Sequence, residues 1–161
     1  MTTIRVVRGA ATGPTAMSSF DAALADANLH NYNLVALSSV IPADATVELA
    51  ETAPDLGPAG EGLYAVVGRE TLYPGAEGEA CAGLGWVRSE SGRGLFYEAS
   101  GTDAGAVRRA VVAGLERGME LREWTFAAEP EVVVSKTPAT ADEHATAVAL
   151  AAYGESHSLF E

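Results

Sequence analysis

Asn33-Leu34-Val35-Ala36-Leu37-Ser38-Ser39-Val40-Ile41-Pro42 is an apolar run broken near its end by two adjacent serines and closed by a proline. Adjacent serines are poor strand material, because their hydroxyls compete with the backbone for hydrogen bonds. Leu34, Val35 and Leu37 before them, and Val40 and Ile41 after them, nevertheless predict a strand over about 33–41. Both of its faces are largely apolar, which predicts a central, covered strand. Two hydroxyls inside such a strand need partners or a purpose.

Upstream, Thr3 to Val7 reads as a short first strand, followed by a small-residue loop from Gly9 to Pro14. A helix is expected from about Ser18 to Leu29, with Phe20, Ala23, Leu24 and Ala27 on one face and Ser18 with Asp21 as a capping box. Downstream, Thr46 to Leu49 reads as strand and residues 51–61 as a surface loop. Leu63 to Gly68, Glu79 to Val87 and Gly94 to Ala99 are three successive strands whose short connections predict an antiparallel meander. Ala82, Gly83 and Gly85 thin the middle one, a sign that another backbone approaches it closely.

A second helix is expected from about Asp103 to Arg117, stopped by Gly118. Met119 to Phe126 alternates in strand fashion, and Glu131 to Ser135 is a β-branched strand. Thr140 with Glu143 predicts a capping box opening a third helix through Tyr153, with Gly154 after it. Consecutive strands with helices segregated to their faces predict an α+β fold.

The 161 residues fit a single domain, 1–161, with a substantial core. Hydrophobic residues make up 48% and charged residues 20%, which argues against disorder. No apolar run approaches the roughly 20 residues that span a bilayer. Met1-Thr2-Thr3-Ile4-Arg5 does not resemble the start of a signal peptide, and the single cysteine, Cys81, suits a reducing, cytoplasmic setting. The net charge is −12 and Lys136 is the one lysine, so the surface repels nucleic acid. The acidity reads as solubility or adaptation to a salty cytoplasm before it reads as a binding property. His30, His144 and His157 share no zinc-site spacing, so no metal is expected.

The sequence resembles the pyruvoyl-dependent arginine decarboxylases over most of its length. Three blocks in order carry the resemblance: Phe20-Asp21-Ala22-Ala23-Leu24, the serine-bearing stretch from Asn33 to Pro42, and Gly94-Leu95-Phe96-Tyr97-Glu98. The late Trp124, strand and alanine-rich segment fit as well. The resemblance implies a layered αββα sandwich of mostly antiparallel strands with helices on the outer faces. It also implies a trimer, or a dimer of trimers, of a lyase that turns arginine into agmatine in polyamine biosynthesis.

In that family the chain is a zymogen that cuts itself. Carried over, cleavage of the Ser38–Ser39 bond gives fragments 1–38 and 39–161 and converts Ser39 into a covalent pyruvoyl group, which forms a Schiff base with the substrate. From the dipeptide alone, two serines satisfied by neighbouring backbone would be the first reading, and the flanking blocks reverse it. Asn33 is by resemblance the oxyanion donor. On a straight strand it lies about 20 Å from Ser39, so a neighbouring subunit is expected to supply it, placing the site at a subunit interface. Glu98 is by resemblance the general acid, a role that needs a carboxyl whose pKa is raised by apolar surroundings. Asp21 is the candidate partner of the substrate guanidinium, against the plainer reading of a helix cap. Leu24, one turn later, would line the same pocket.

Three alternatives stay in view: an unprocessed, non-catalytic oligomeric relative, a decarboxylase of another basic amino acid, and a serine hydrolase. The bulky His30-Asn31-Tyr32 before Asn33 keeps the second open. The hydrolase lacks a Gly-x-Ser-x-Gly elbow and a suitably placed histidine. A pyridoxal phosphate enzyme is disfavoured, because Lys136 has no phosphate-cradling glycine loop beside it.

Overall fold

A computed structural model describes residues 2–160, and the end residues of the expected domain, Met1 and Glu161, lie outside it. The described residues form β1 (Thr3–Gly13), α1 (Ala16–Asp26), β2 (Asn33–Ala36), β3 (Val40–Ile41), β4 (Thr46–Glu51), β5 (Gly62–Leu72), β6 (Glu79–Arg88), β7 (Gly94–Gly101), α2 (Ala104–Glu120), β8 (Glu131–Pro138) and β9 (His144–Tyr153). They make two sheets, ordered β2-β5-β9-β1-β4 and β3-β7-β6-β8. Pairing is antiparallel except for β1 with β4 and β2 with β5. No helix among the described residues is long and apolar enough to cross a membrane.

The layers follow from which side chains alternate to which face. Ile4, Val6, Val66, Ala147, Ala149 and Ala151 of the first sheet meet Ala82, Leu84, Trp86 and Phe96 of the second. On the outer face of the first sheet, Ala23 and Leu24 of α1 and its C-cap Ala27 cover Val7, Leu63, Val148 and Leu150. On the outer face of the second, Val111 and Leu115 of α2 cover Val87 and Leu95. The result is the expected α+β sandwich, helix–sheet–sheet–helix.

Several local expectations are corrected. The alanine-rich 144–153 segment is strand β9 rather than a third helix. It lies between β5 and β1, and both of its faces are buried. Its alanines at 147, 149 and 151 let the sheets approach, while Val148 and Leu150 face α1. Tertiary burial on two faces overrides the helical propensity of alanine. The Thr140 hydroxyl does accept from the Glu143 N–H, at 3.0 Å, but it also donates to the Glu143 carbonyl and closes a turn into β9.

The first helix starts earlier than expected. Thr15 is its N-cap and Ser18 closes the capping box, so Asp21 has no capping role. β1 continues through the expected loop to Gly13. α2 runs through Gly118 to Glu120, so the segment from Met119 opens as helix and Phe126 makes only an isolated bridge to Ser89. β5 pairs with β9 and β2, not with β6, so the three-strand meander reduces to the β6–β7 hairpin.

The serine stretch is not one strand. β2 is the edge of the first sheet and β3 the edge of the second. The Leu37 N–H still donates to Ala65 O on β5 at 2.9 Å, whereas Ser39 O already accepts from Phe96 N–H on β7 at 2.8 Å. The chain changes sheets between these bonds. Leu34 belongs with the core under α1, while Leu37 and Ile41 belong with the core between the sheets.

The thin middle of β6 is where α2 docks. A Cβ on Gly83 would lie 2.7 Å from Val107 Cγ1, and one on Gly85 would lie 2.4 Å from Val111 Cγ1. The approach is by helix side chains. Gly85→Val should therefore overpack this contact and destabilise the fold by about 1–3 kcal/mol, read as a lower denaturant midpoint. Gly101→Ala, whose methyl would meet Val107 Cγ2 at 3.4 Å, should change the midpoint little.

Candidate active site

The sheet crossover places Ser38 and Ser39 at an edge rather than inside a covered strand. Ser38 is exposed and Ser39 half-buried. Ser39 has φ 115°, a conformation that L-residues other than glycine rarely adopt. This angle has a chemical consequence. Viewed along the N–Cα bond of an L-residue, Cβ lies about 120° behind the carbonyl carbon. At φ 115° the Ser39 Cβ therefore comes within about 5° of eclipsing the Ser38 carbonyl carbon. A five-membered ring closed by the Ser39 hydroxyl on that carbon needs this torsion to be small.

Ser38, Ser39 and Val40 line a cavity of about 410 Å³ together with Phe96, Tyr97 and Glu98 of the neighbouring β7. Glu98 lies in the middle of β7, opposite Leu84, rather than at a strand end. Its Cβ sits 3.2 Å from where a Gly68 Cβ would be, so glycine on β5 leaves room for it. Burial pushes the Glu98 carboxyl above its ordinary value of 4.5, and its own backbone N–H pulls it partly back. The Glu98 residue is otherwise exposed, and water screens its charge.

Asn33 and Leu24 line a different space. They border a groove of about 440 Å³ with Phe20, Tyr32, Val67 and Arg69. The Arg69 guanidinium lies over the Phe20 ring, 4.7 Å from its centroid. The Asn33 side chain donates to Gly60 O at 2.8 Å, and its backbone N–H to Glu61 O at 2.9 Å. Asp21 is exposed on α1 and makes no hydrogen bond or ion pair with another described residue. It lines neither space. One chain thus gathers Ser38, Ser39 and Glu98, and separately Asn33 with Leu24.

Two neighbours of the serine site are absent from the sequence-based reading. The Tyr97 ring packs where a Gly114 Cβ would be, 2.3 Å away, and both residues line the cavity. A glycine inside a helix costs about 1 kcal/mol relative to alanine, so Gly114 was the available signal. The Tyr153 hydroxyl donates to Val40 O at 2.9 Å. Its placement at the end of an expected helix concealed it. No group of three or more metal-ligating side chains occurs among the described residues.

A family model described as pyruvoyl-dependent arginine decarboxylase matches residues 3–158. A pyruvoyl-dependent arginine decarboxylase of Halobacterium salinarum (strain ATCC 29341 / DSM 671 / R1) is 49% identical over 163 aligned positions, covering 100% of this chain and 99% of the relative. One from Thermococcus kodakarensis is 40% identical, covering 85% and 90%. One from Methanopyrus kandleri is 31% identical, covering 92% and 95%.

The raised Glu98 carboxyl predicts a pH dependence of stability. A carboxyl with a higher pKa folded than unfolded adds nothing below the unfolded value and destabilises the fold as pH rises through the folded one. Relative to Glu98→Gln, the native chain should lose stability as pH rises from about 4, where the unfolded carboxyl ionises, and level off once the folded carboxyl has ionised as well. Denaturant midpoints across that interval measure it, and parallel curves for the two chains would contradict the shift.

Proposed function

The chain belongs to the pyruvoyl-dependent arginine decarboxylase family, and from that premise we propose that it decarboxylates arginine to agmatine with a pyruvoyl group made from its own Ser39. The observation that carries the proposal is the backbone of Ser39, whose positive φ sets its Cβ beside the Ser38 carbonyl carbon.

The proposed self-cleavage balances as follows. The Ser39 hydroxyl oxygen bonds to the Ser38 carbonyl carbon and the Ser38–Ser39 C–N bond breaks, so the amide becomes an ester and the Ser39 amine is freed. Loss of the Ser39 Cα proton then breaks the Cβ–O bond. Ser38 departs as the C-terminal carboxylate of fragment 1–38. The remaining enamine takes up water and releases ammonia, leaving the pyruvoyl group at the head of fragment 39–161. Neither serine hydroxyl is tied up by another described residue, so Ser39 Oγ is free to attack.

The fold tolerates the cut. Fragment 1–38 would stay bound because β1 pairs with both β9 and β4, and β2 with β5. The new head of fragment 39–161 would stay in place because Ser39 O is held by Phe96 N–H and Val40 pairs with Leu95. The cavity that Ser39 lines is also lined by Glu98, so the group fits the residues present.

When formed, the pyruvoyl group supplies a carbonyl that captures the substrate amine and draws off the electrons left by departing carbon dioxide. Glu98, whose carboxyl burial pushes above its ordinary value, delivers a proton to the substrate carbon. Asp21, with no partner among the described residues, pairs with the guanidinium, and Leu24 packs along the aliphatic part. Asn33 would donate to the oxyanion of the attacked Ser38 carbonyl.

Asn33, Leu24 and Asp21 lie away from the cavity of their own chain, so a neighbouring copy supplies them. This supports an oligomer with interfacial sites, a trimer or a dimer of trimers. We place the protein in the cytoplasm, since its one cysteine, Cys81, is buried and free.

Denaturing mass spectrometry of the purified chain should show fragments 1–38 and 39–161, the larger blocked at its N-terminus, and Ser39→Ala should remain whole. A native chain that stays intact on long incubation would identify an unprocessed relative instead. Carbon dioxide release should favour arginine over lysine and ornithine. Asp21→Asn should raise the KM for arginine about tenfold or more, the scale of one charge-assisted hydrogen bond.

A further inference from the structure

Two consecutive carbonyls follow the Ser38–Ser39 bond, and they are held from different sheets. Ser39 O accepts from the Phe96 N–H of β7 at 2.8 Å. Val40 O accepts from the Tyr153 hydroxyl at 2.9 Å. Tyr153 is the last residue of β9, paired opposite Ile4 of β1 in the first sheet. Its side chain therefore reaches from the central part of one sheet to the edge strand of the other. The ring is itself located, because it lies 6.0 Å from the Phe96 ring at an interplanar angle of 58°.

β3 needs this support. It is two residues long and pairs with β7 alone, at Val40–Leu95 and Ile41–Gly94. An edge strand this short has few ladder bonds with which to oppose backbone strain at its first neighbour. Rotation of Ser39 out of its positive φ into the ordinary extended region would swing the Ser38 carbonyl away from the Ser39 Cβ. Such a rotation must be accommodated by movement of the peptides on either side of Ser39. The Val40 carbonyl, fixed by Tyr153, limits that movement downstream, and the Ala65–Leu37 hydrogen bond limits it upstream.

We infer that Tyr153 is a positioning residue for chain maturation, its hydroxyl holding the Val40 carbonyl so that Ser39 keeps the backbone angle that self-cleavage requires. The inference rests on the self-cleavage proposed above. Burial pushes the Tyr153 phenol up to about 12, so it stays protonated and remains a donor at any pH at which the chain is folded and working. Tyr153 touches neither the attacking oxygen nor the attacked carbon, so its effect is on the rate of cleavage and not on the later decarboxylation.

The test compares freshly made native chain with Tyr153→Phe, following fragment 39–161 by denaturing mass spectrometry. Loss of one neutral hydrogen bond predicts processing about fivefold slower. Decarboxylation per mole of fragment 39–161 should be unchanged, and the KM for arginine with it. The same substitution in the uncleavable Ser39→Ala background should lower the thermal midpoint by no more than the loss of one neutral hydrogen bond does, because the Tyr153 ring keeps its contact with Phe96. Cleavage of Tyr153→Phe at the native rate overturns the inference. Slower cleavage accompanied by a loss of stability well beyond that of one hydrogen bond in the Ser39→Ala background also overturns it, assigning Tyr153 to packing. If the native chain does not cleave at all, the proposed function fails and this inference falls with it.

Discussion

Everything about the serine site depends on how abruptly the chain changes sheets. Leu37 is still hydrogen-bonded to Ala65 of the first sheet, and Ser39 is already bonded to Phe96 of the second. Ser38 is all that lies between. So short a link between two packed sheets has few backbone solutions, and the one adopted puts Ser39 at φ 115°. Strain of this kind persists only where the surrounding structure over-determines it. Here the surroundings are two separate hydrophobic cores. Leu34 is packed in one, and Leu37 and Ile41 are packed in the other.

The same sheet packing places Glu98, the proposed proton donor. Small residues on the facing strands draw the layers together, and Gly68 leaves the space into which the Glu98 Cβ projects. Partial removal of water there is what raises the carboxyl's pKa. The other candidate residues are positioned by α1, which is tied to the central strand by more than apolar contact. The Ser19 hydroxyl meets Thr146 at 2.7 Å, and Thr146 meets Thr71 at 2.7 Å, a buried chain of hydroxyls linking α1, β9 and β5. The net charge of −12 adds a general attraction for a cationic amino acid, though one that salt would screen.

Legibility varied along the chain for physical reasons. α2 was readable because Val107, Val111 and Leu115 repeat at helical spacing on one buried face. The β6–β7 hairpin was readable because its strands are joined by a short turn around Gly92, at φ 95°. Segment 144–153 was misread because alanine favours helix in isolation, and only its neighbours β5 and β1 reveal a two-faced strand. Thr140 and Glu143 do form a side-chain-to-backbone contact at the capping-box spacing, but that contact serves a turn as readily as a helix.

The sequence by itself determined the α+β class and the family resemblance, and that resemblance singled out Ser38, Ser39 and Glu98. These rest on local pattern and residue type, which a linear chain displays. It did not determine that the serine stretch breaks between two sheets, that Ser39 takes a positive φ, or that Tyr153 reaches Val40. Those are distances and torsions fixed by packing between elements far apart in the chain, 113 residues in the case of Tyr153 and Val40. Only the tertiary structure, in which both sheets compete for one short link, decided them.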